Sequence, residues 1–319
     1  MILASTTTDQ TVALRPSKEE MAQQTAAFFQ KGLEGAANSK IAYESDIDHA
    51  TEWLTGNELP PLPMTSATLA TYLSDLATEH KWATVSRRLA SLRKWHRLHQ
   101  QPDPSFDEGV KIVLEGIKRT IGTEPLQAPA FDIEEYKVSI RVMPATPTGL
   151  RDRAMLLIGF SCAFRRSELV ALNLEGVQFT REGAVISYSG SKTNQYGKTE
   201  QKALFFSADP DTCPVRNLQD YIAILNRSTG PLFVRIRKGE QITEDRLSDK
   251  QVARAVKAFL GQDYSAHSLR ASFVTVAKLN GADDSEIMQQ TKHRTRSMID
   301  RYTRVQQVVK HNAAMKLGL

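Results

Sequence analysis

Between Ser17 and Ile121 the apolar positions recur every three to four residues without sustained alternation, the spacing that places them on one face of a helix. The pattern predicts helices over residues 17–33, 39–55, 65–79, 83–99 and 105–121, separated by turn signals such as Gly56-Asn57 and Pro60-Pro61-Leu62-Pro63. Residues 1–16 lack this periodicity and are rich in Thr and other polar residues, so a flexible tail is expected there. Trp53, Trp82 and Trp95 all fall in the helical stretch and read as packing residues.

Gly122, Pro125 and Pro129 interrupt the pattern, and residues 122–130 read as an extended linker. Helices are then predicted over 132–143, 149–162 and 165–172. The period changes next, with short strands at 177–180, 184–188 and 203–206 and a polar turn at 189–197 between the last two. Helices resume at 214–226, and after the apolar Leu232-Phe233-Val234 they continue at 248–260, 267–280, 284–291 and 296–302, with a tail helix to Leu319. The expected architecture is mainly α: an all-helical N-terminal domain over 17–121, the linker, and a mixed α/β domain over 131–319 with a small antiparallel sheet.

A length of 319 residues suits two domains, each with its own core. The longest apolar run, residues 154–164, is broken by Gly159 and Ser161 and falls short of the roughly 18 residues that span a bilayer. Met1-Ile2-Leu3-Ala4 turns polar at once, without a basic stretch before a long apolar core; a secretory leader is not expected, and the cytoplasm is the expected compartment. Cys162 and Cys213 are too few and too far apart for a disulfide framework or a zinc-ligand pattern, so they read as packing residues and no metal or cofactor is expected.

The net charge of +5 is modest, but its distribution is uneven. Before His80 there are four Lys/Arg against eleven Asp/Glu; from Lys81 to Ile121 there are nine against four. That block, with Arg87, Arg88, Arg93, Lys94, Arg97, Lys118 and Arg119, is suited to neutralising DNA phosphates and releasing their counterions. A solvated helix face is the other reading of such a run.

The C-terminal stretch carries the candidate chemistry: His267-Ser268-Leu269-Arg270, then Lys292-His293, then Tyr302 nine positions after His293. Far upstream stand Arg165-Arg166-Ser167-Glu168 on a predicted helix and Lys192 in the predicted hairpin. Cutting a phosphodiester without metal requires a charged pentavalent transition state to be neutralised, a nucleophile to be activated and the departing oxygen to be protonated. Arg165 and Arg270 suit the first task, because a guanidinium binds two phosphate oxygens and stays protonated. Tyr302 suits the second, as a phenolate is both nucleophile and reversible leaving group. Lys192 suits the third, and histidines shuttle protons near neutral pH. His267 and Arg270 are three apart and share a helix face; Glu168 stands at the same spacing from Arg165 and is placed to orient a neighbour. His293 and Tyr302 need a turn between them near Arg294-Thr295. Taken singly, each residue has an ordinary reading: a packed tyrosine, a salt-bridged helix start, a capping histidine, a solvated turn lysine. Their joint order changes that.

In that order the chain resembles the tyrosine recombinase or phage integrase family, over residues 39 to the end. The family's Gly-Leu-Arg-x-Ser-Glu-Leu stands as Ala163-Phe164-Arg165-Arg166-Ser167-Glu168-Leu169, its His-x-Leu-Arg as His267 to Arg270, and its Gly-His before the tyrosine as Lys292-His293. The resemblance implies two domains clamping duplex DNA as a C shape. Arg165, Arg270 and His293 would then hold the scissile phosphate, with Lys192 as general acid, His267 assisting proton transfer, Glu168 in support and Tyr302 attacking. It implies a 3′-phosphotyrosine intermediate, a Holliday junction, and four protomers synapsing two DNA sites, a dimer per site, with a second recombinase or a DNA-bending protein as a further partner. The tail over 305–319 would dock on a neighbouring protomer. Two departures stand out: Ala163-Phe164 for Gly-Leu, and Lys292 for the glycine before His293, where a Cβ does not tolerate positive φ cheaply. A non-catalytic DNA-binding relative and a type IB topoisomerase-like relaxing enzyme remain as alternatives.

Overall fold

The computed structural model describes residues 21, 23–25, 37–124, 127–189, 199–293, 295–296 and 298–299. Most of the helix expected over 17–33, the turn that carries Lys192, and the chain from residue 300 onward, with Tyr302 and the tail helix, lie outside the described residues. The chain divides into two compact units, Met1–Pro125 and Leu126–Leu319. A mainly α architecture with small antiparallel sheets is what the periodicity led one to expect.

In the first unit, α1 (Ala37–Gly56), α2 (Ser66–Glu79), α3 (Trp82–Leu98) and α4 (Glu108–Ile121) form a helical bundle. Helix α1 packs on α3 and α2 on α4, around Leu54, Leu69, Tyr72, Leu73, Leu92, Trp95 and Leu114. All three tryptophans pack in or against this core. Local signals set the boundaries: the Thr65 hydroxyl accepts from Thr68 N at the start of α2. The expected helix over 105–121 is broken. A 3-10 turn, Pro104–Phe106, ends at Asp107, whose extended backbone (φ −61°, ψ 139°) and side chain, accepting from Gly109 N at 2.8 Å, start α4 afresh.

In the second unit, α5 (Ile133–Arg141), α6 (Pro147–Ser161) and α7 (Arg166–Ala171) precede an antiparallel sheet of β1 (Val177–Phe179), β2 (Gly183–Tyr188) and β3 (Glu200–Phe205), in that order. Helix α8 (Pro214–Leu225) follows, then a hairpin of β4 (Val234–Arg237) and β5 (Gln241–Arg246), and α9 (Asp249–Leu260), α10 (Ala266–Leu279) and α11 (Asp284–Thr291). Helix α6 is the centre: residues 154–159 are all buried, and α8, α9 and α10 pack around it. The hairpin β4–β5 was not anticipated; the alternation Val234-Arg235-Ile236-Arg237 and the positive φ of Gly239 (80°) and Glu240 (60°) turn the chain there. Strand β3 begins three residues earlier than expected, because Glu200 pairs with Tyr188 across the ladder and accepts from its hydroxyl at 2.7 Å. Cys162 and Cys213 are free and buried. Among the described residues no helix is long and apolar enough to cross a membrane.

Candidate active site

Helix α6 ends in a turn that aims Arg165. Cys162 caps the helix and Ala163 takes a left-handed backbone, φ 50°, before the chain resumes as α7 with Arg165 at its N-cap. An L-residue in this region costs about 1 kcal/mol or more. Ala163 stands where the resembled family carries glycine, and it keeps the conformation that glycine favours. Arg165 is tied to its own helix: its backbone N donates to Glu168 Oε2 at 2.9 Å and its Nη1 to Oε1 at 2.6 Å. Glu168 is buried, and its side chain is paired there with Arg165.

Arg270, on the first turn of α10, is 2% exposed and among the largest fully buried side chains. Its Nη1 donates to the carbonyl of Ala163 at 2.8 Å and its Nη2 to the carbonyl of Thr291 at the end of α11. One guanidinium thus joins the arginine turn to the Lys292-His293 turn. Lys292 caps α11 in the left-handed region (φ 56°, ψ 36°), again the conformation that favours glycine. A turn begins at Lys292, and Thr295 and Arg296 also lie in a bend and turn; Arg294, within the expected turn, lies outside the described residues. His293 leaves the helix buried, with Nδ1 3.0 Å from Thr291 Oγ1; that hydroxyl donates to Ile287 O at 2.7 Å, so the ring N–H donates to it.

The electrostatics report one shared site. Burial pushes the His293 imidazole down to about 4, reinforced by the charges of Arg270 and Arg165 and by His267. His267 sits at the surface end of the same turn of α10 as Arg270, and it is lowered by burial of its ring, then by Arg270 and Arg165. The positive potential of the two arginines, which adds to burial in lowering both imidazoles, is suited to a phosphate.

A further cation lies beneath the turn. Lys202 on β3 is 3% exposed, donates from Nζ to Cys162 O at 2.5 Å, and lies 4.5 Å from the centre of the Phe164 ring and 5.9 Å from that of Tyr188. Burial lowers its ammonium to about 8, and Arg270 and Arg165 act in the same direction. It was missed in the sequence, although a signal existed: strand alternation sets Lys202 on the same face as buried Leu204.

Of the expected site residues, Arg165, Glu168, His267, Arg270 and His293 are brought together; Lys192 and Tyr302 lie outside the described residues. The basic candidates sit on α3 and α4. Arg87, Arg93, Arg97 and Arg119 are exposed. Arg93 also donates to Ser105 Oγ at 2.7 Å. Lys94 covers the Tyr43 ring, and Lys118 pairs with Glu115 at 2.6 Å. Arg87 pairs with buried Asp46 at 2.6 Å from an exposed position, whereas the Arg88 side chain is 12% exposed, lies 3.6 Å from the same carboxylate and contacts His49 Nε2 at 2.9 Å, so its charge is turned into the bundle.

Two arginines and two histidines of the second unit converge on the turns at Ala163 and Lys292, an arrangement suited to binding a phosphodiester. Residues 131–308 match the phage integrase family. The chain is 32% identical over 292 residues to an integrase/recombinase XerD homolog of Selenomonas ruminantium, covering 88% of this chain and 86% of that one. It is 27% identical over 284 residues to the tyrosine recombinase XerD of Pseudomonas aeruginosa, covering 88% and 90%. In fold it resembles the XerH site-specific recombinase in a post-cleavage complex with its palindromic difH substrate (TM-score 0.57, 18% identity, 80% of this chain and 73% of that one). It also resembles a lambda integrase (75-356) dimer bound to a COC′ core site (TM-score 0.57, 17% identity, 88% and 94%). The chain belongs to the phage integrase family of tyrosine recombinases, and its activity is site-specific DNA recombination.

Proposed function

We propose that this chain cuts and rejoins duplex DNA through a 3′-phosphotyrosine intermediate. Arg165, Arg270 and His293 hold the scissile phosphate, and the Tyr302 phenolate attacks phosphorus. The P–O(Tyr) bond forms as the P–O5′ bond breaks, and the departing 5′ oxygen takes a proton from Lys192. His267 assists proton transfer and Glu168 orients Arg165. Attack by the 5′ hydroxyl of a partner strand reverses the step, conserves the bond energy and passes through a Holliday junction. The helical unit over 17–121 contacts the duplex, and four protomers act on two synapsed sites, two on each.

The observation that carries this reading is the guanidinium of Arg270, which binds the carbonyls of Ala163 and Thr291 and so unites three short segments far apart in sequence. Nicked suicide duplexes drawn from the flanks of its own gene test it. A covalent protein–DNA band on denaturing gels is expected with wild type and none with Tyr302→Phe, which still shifts the DNA. A band that persists in the variant refutes Tyr302 as nucleophile, and relaxation of arbitrary supercoiled DNA by a monomer refutes site-specific exchange.

A further inference from the structure

Three successive carbonyls end helix α6, and each receives a side-chain donor from a different element. Gln290 of α11 donates to Ser161 O at 3.2 Å, Lys202 of β3 to Cys162 O at 2.5 Å, and Arg270 of α10 to Ala163 O at 2.8 Å. The last carbonyls of a helix lack partners within it and form the negative end of its dipole, which favours cations. Lys202 alone of the three also holds the far side of the turn, through the Phe164 ring. It therefore grips the residues on both sides of left-handed Ala163, and Arg165 follows directly.

Core packing does not account for a lysine here. Lys202 faces inward opposite Ile186, in the register of Leu204, where an apolar side chain fills the same space without desolvating an ion. Among the described residues no carboxylate lies within ion-pair distance of its ammonium; Glu168 favours the charge from further off, while burial and the two neighbouring arginines oppose it. What the lysine supplies is an N–H donor at the Cys162 carbonyl and a cation against Phe164.

We infer that Lys202 is a positioning residue for Arg165, fixing from beneath the turn between Cys162 and Phe164 that aims the guanidinium. This rests on the reading in which Arg165 neutralises the scissile phosphate. Loss of the donor lets the turn shift, and misplacement by about 1 Å at such a site lowers the rate on the order of 100-fold.

The test uses full-length protein and nicked suicide duplexes carrying either the natural phosphodiester or an uncharged methylphosphonate at the scissile position. The neutral substrate removes the need for an arginine to offset that charge. With Lys202→Met the expected result is DNA binding within about threefold of wild type, adduct formation slower by about 100-fold on the phosphodiester, and a gap reduced to about tenfold or less on the methylphosphonate, in parallel with Arg165→Ala. Lys202→Gln retains an N–H donor and is expected within about tenfold of wild type on the phosphodiester. A wild-type rate for Lys202→Met, or a deficit of equal size on both substrates, overturns the inference. If the methionine variant does not fold, any deficit of Lys202→Gln must shrink on the methylphosphonate, and an equal deficit on both overturns it. Failure of the neutral substrate to rescue Arg165→Ala refutes the assignment of Arg165 itself.

Discussion

The guanidinium of Arg270 lies 2.8 Å from the carbonyl of Ala163, a residue 107 positions earlier in the chain. That bond places a buried charge against the turn before Arg165, and the second bond, to Thr291, sets the same charge beside His293. Arg270 is therefore both a catalytic candidate and a structural clasp. Arg270→Ala leaves two carbonyls without this donor and a large cavity, and a stability loss of roughly 3 kcal/mol is expected in urea unfolding, together with loss of adduct formation. Arg270→Lys keeps a charge but not the fork, and should lose cleavage by at least about 100-fold while losing less stability. Near-wild-type cleavage by Arg270→Lys would contradict the clasp.

The two depressed histidines make DNA binding sensitive to protons. At pH 7 His293 and His267 are neutral, since burial and the two arginines hold them below their ordinary value. A phosphodiester docked beside them adds negative charge and raises both pKa values, so binding takes up protons wherever the pH lies between the free and DNA-bound values. Calorimetry in two buffers of different ionisation enthalpy should record net uptake, reduced in His293→Gln.

The same shift bears on folding. Because His293 binds its proton more weakly folded, near 4, than unfolded, near the ordinary 6.5, its contribution to stability is complete above 6.5. It is lost as pH falls from there toward 4. Thermal melts across that range should show a steeper decline for wild type than for His293→Gln.

Lys292 and Ala163 hold left-handed backbones at positions where glycine pays no Cβ penalty. Lys292→Gly and Ala163→Gly are each expected to stabilise the fold by roughly 0.5 to 1 kcal/mol, after the entropy of a freer unfolded chain is offset. Cleavage should be retained in both. A fall in melting temperature would show that the Lys292 side chain holds the turn in some other way.

On the helical unit, exposed and inward arginines should separate in a salt titration. Arg93→Ala and Arg97→Ala are each expected to lower the slope of log K against log salt by about 1. Arg88→Ala should instead destabilise the bundle by about 1 kcal/mol, because Asp46 is 1% exposed and loses one of its two arginine neighbours while Arg87 remains.

Much of the candidate site was legible because its boxes are short and local. Arg165 and Glu168, and His267 and Arg270, lie three apart, a spacing that fixes their relation within one helical turn. Less was legible where a partner comes from far along the chain. Nothing near Arg88 in sequence announces that Asp46, 42 positions earlier, waits beneath it. The left-handed turn at Ala163 was hidden because the residue is not a glycine, and at Lys292 only the glycine of the resembled family pointed to it. Lys202 was readable only from strand alternation, and a lysine in an inward register is easily taken for a surface residue. The hairpin of β4 and β5 was overlooked because β5 is almost wholly polar and exposed, so its period-two signal has no apolar face.

Digestion of the covalent complex trapped on a nicked suicide substrate, with the DNA-bearing peptide identified by mass spectrometry, tests the tyrosine mechanism at its reacting atom. A nucleotide joined through phosphate to Tyr302 is expected. Attachment to another residue, or cleavage without a protein-linked product, would contradict it.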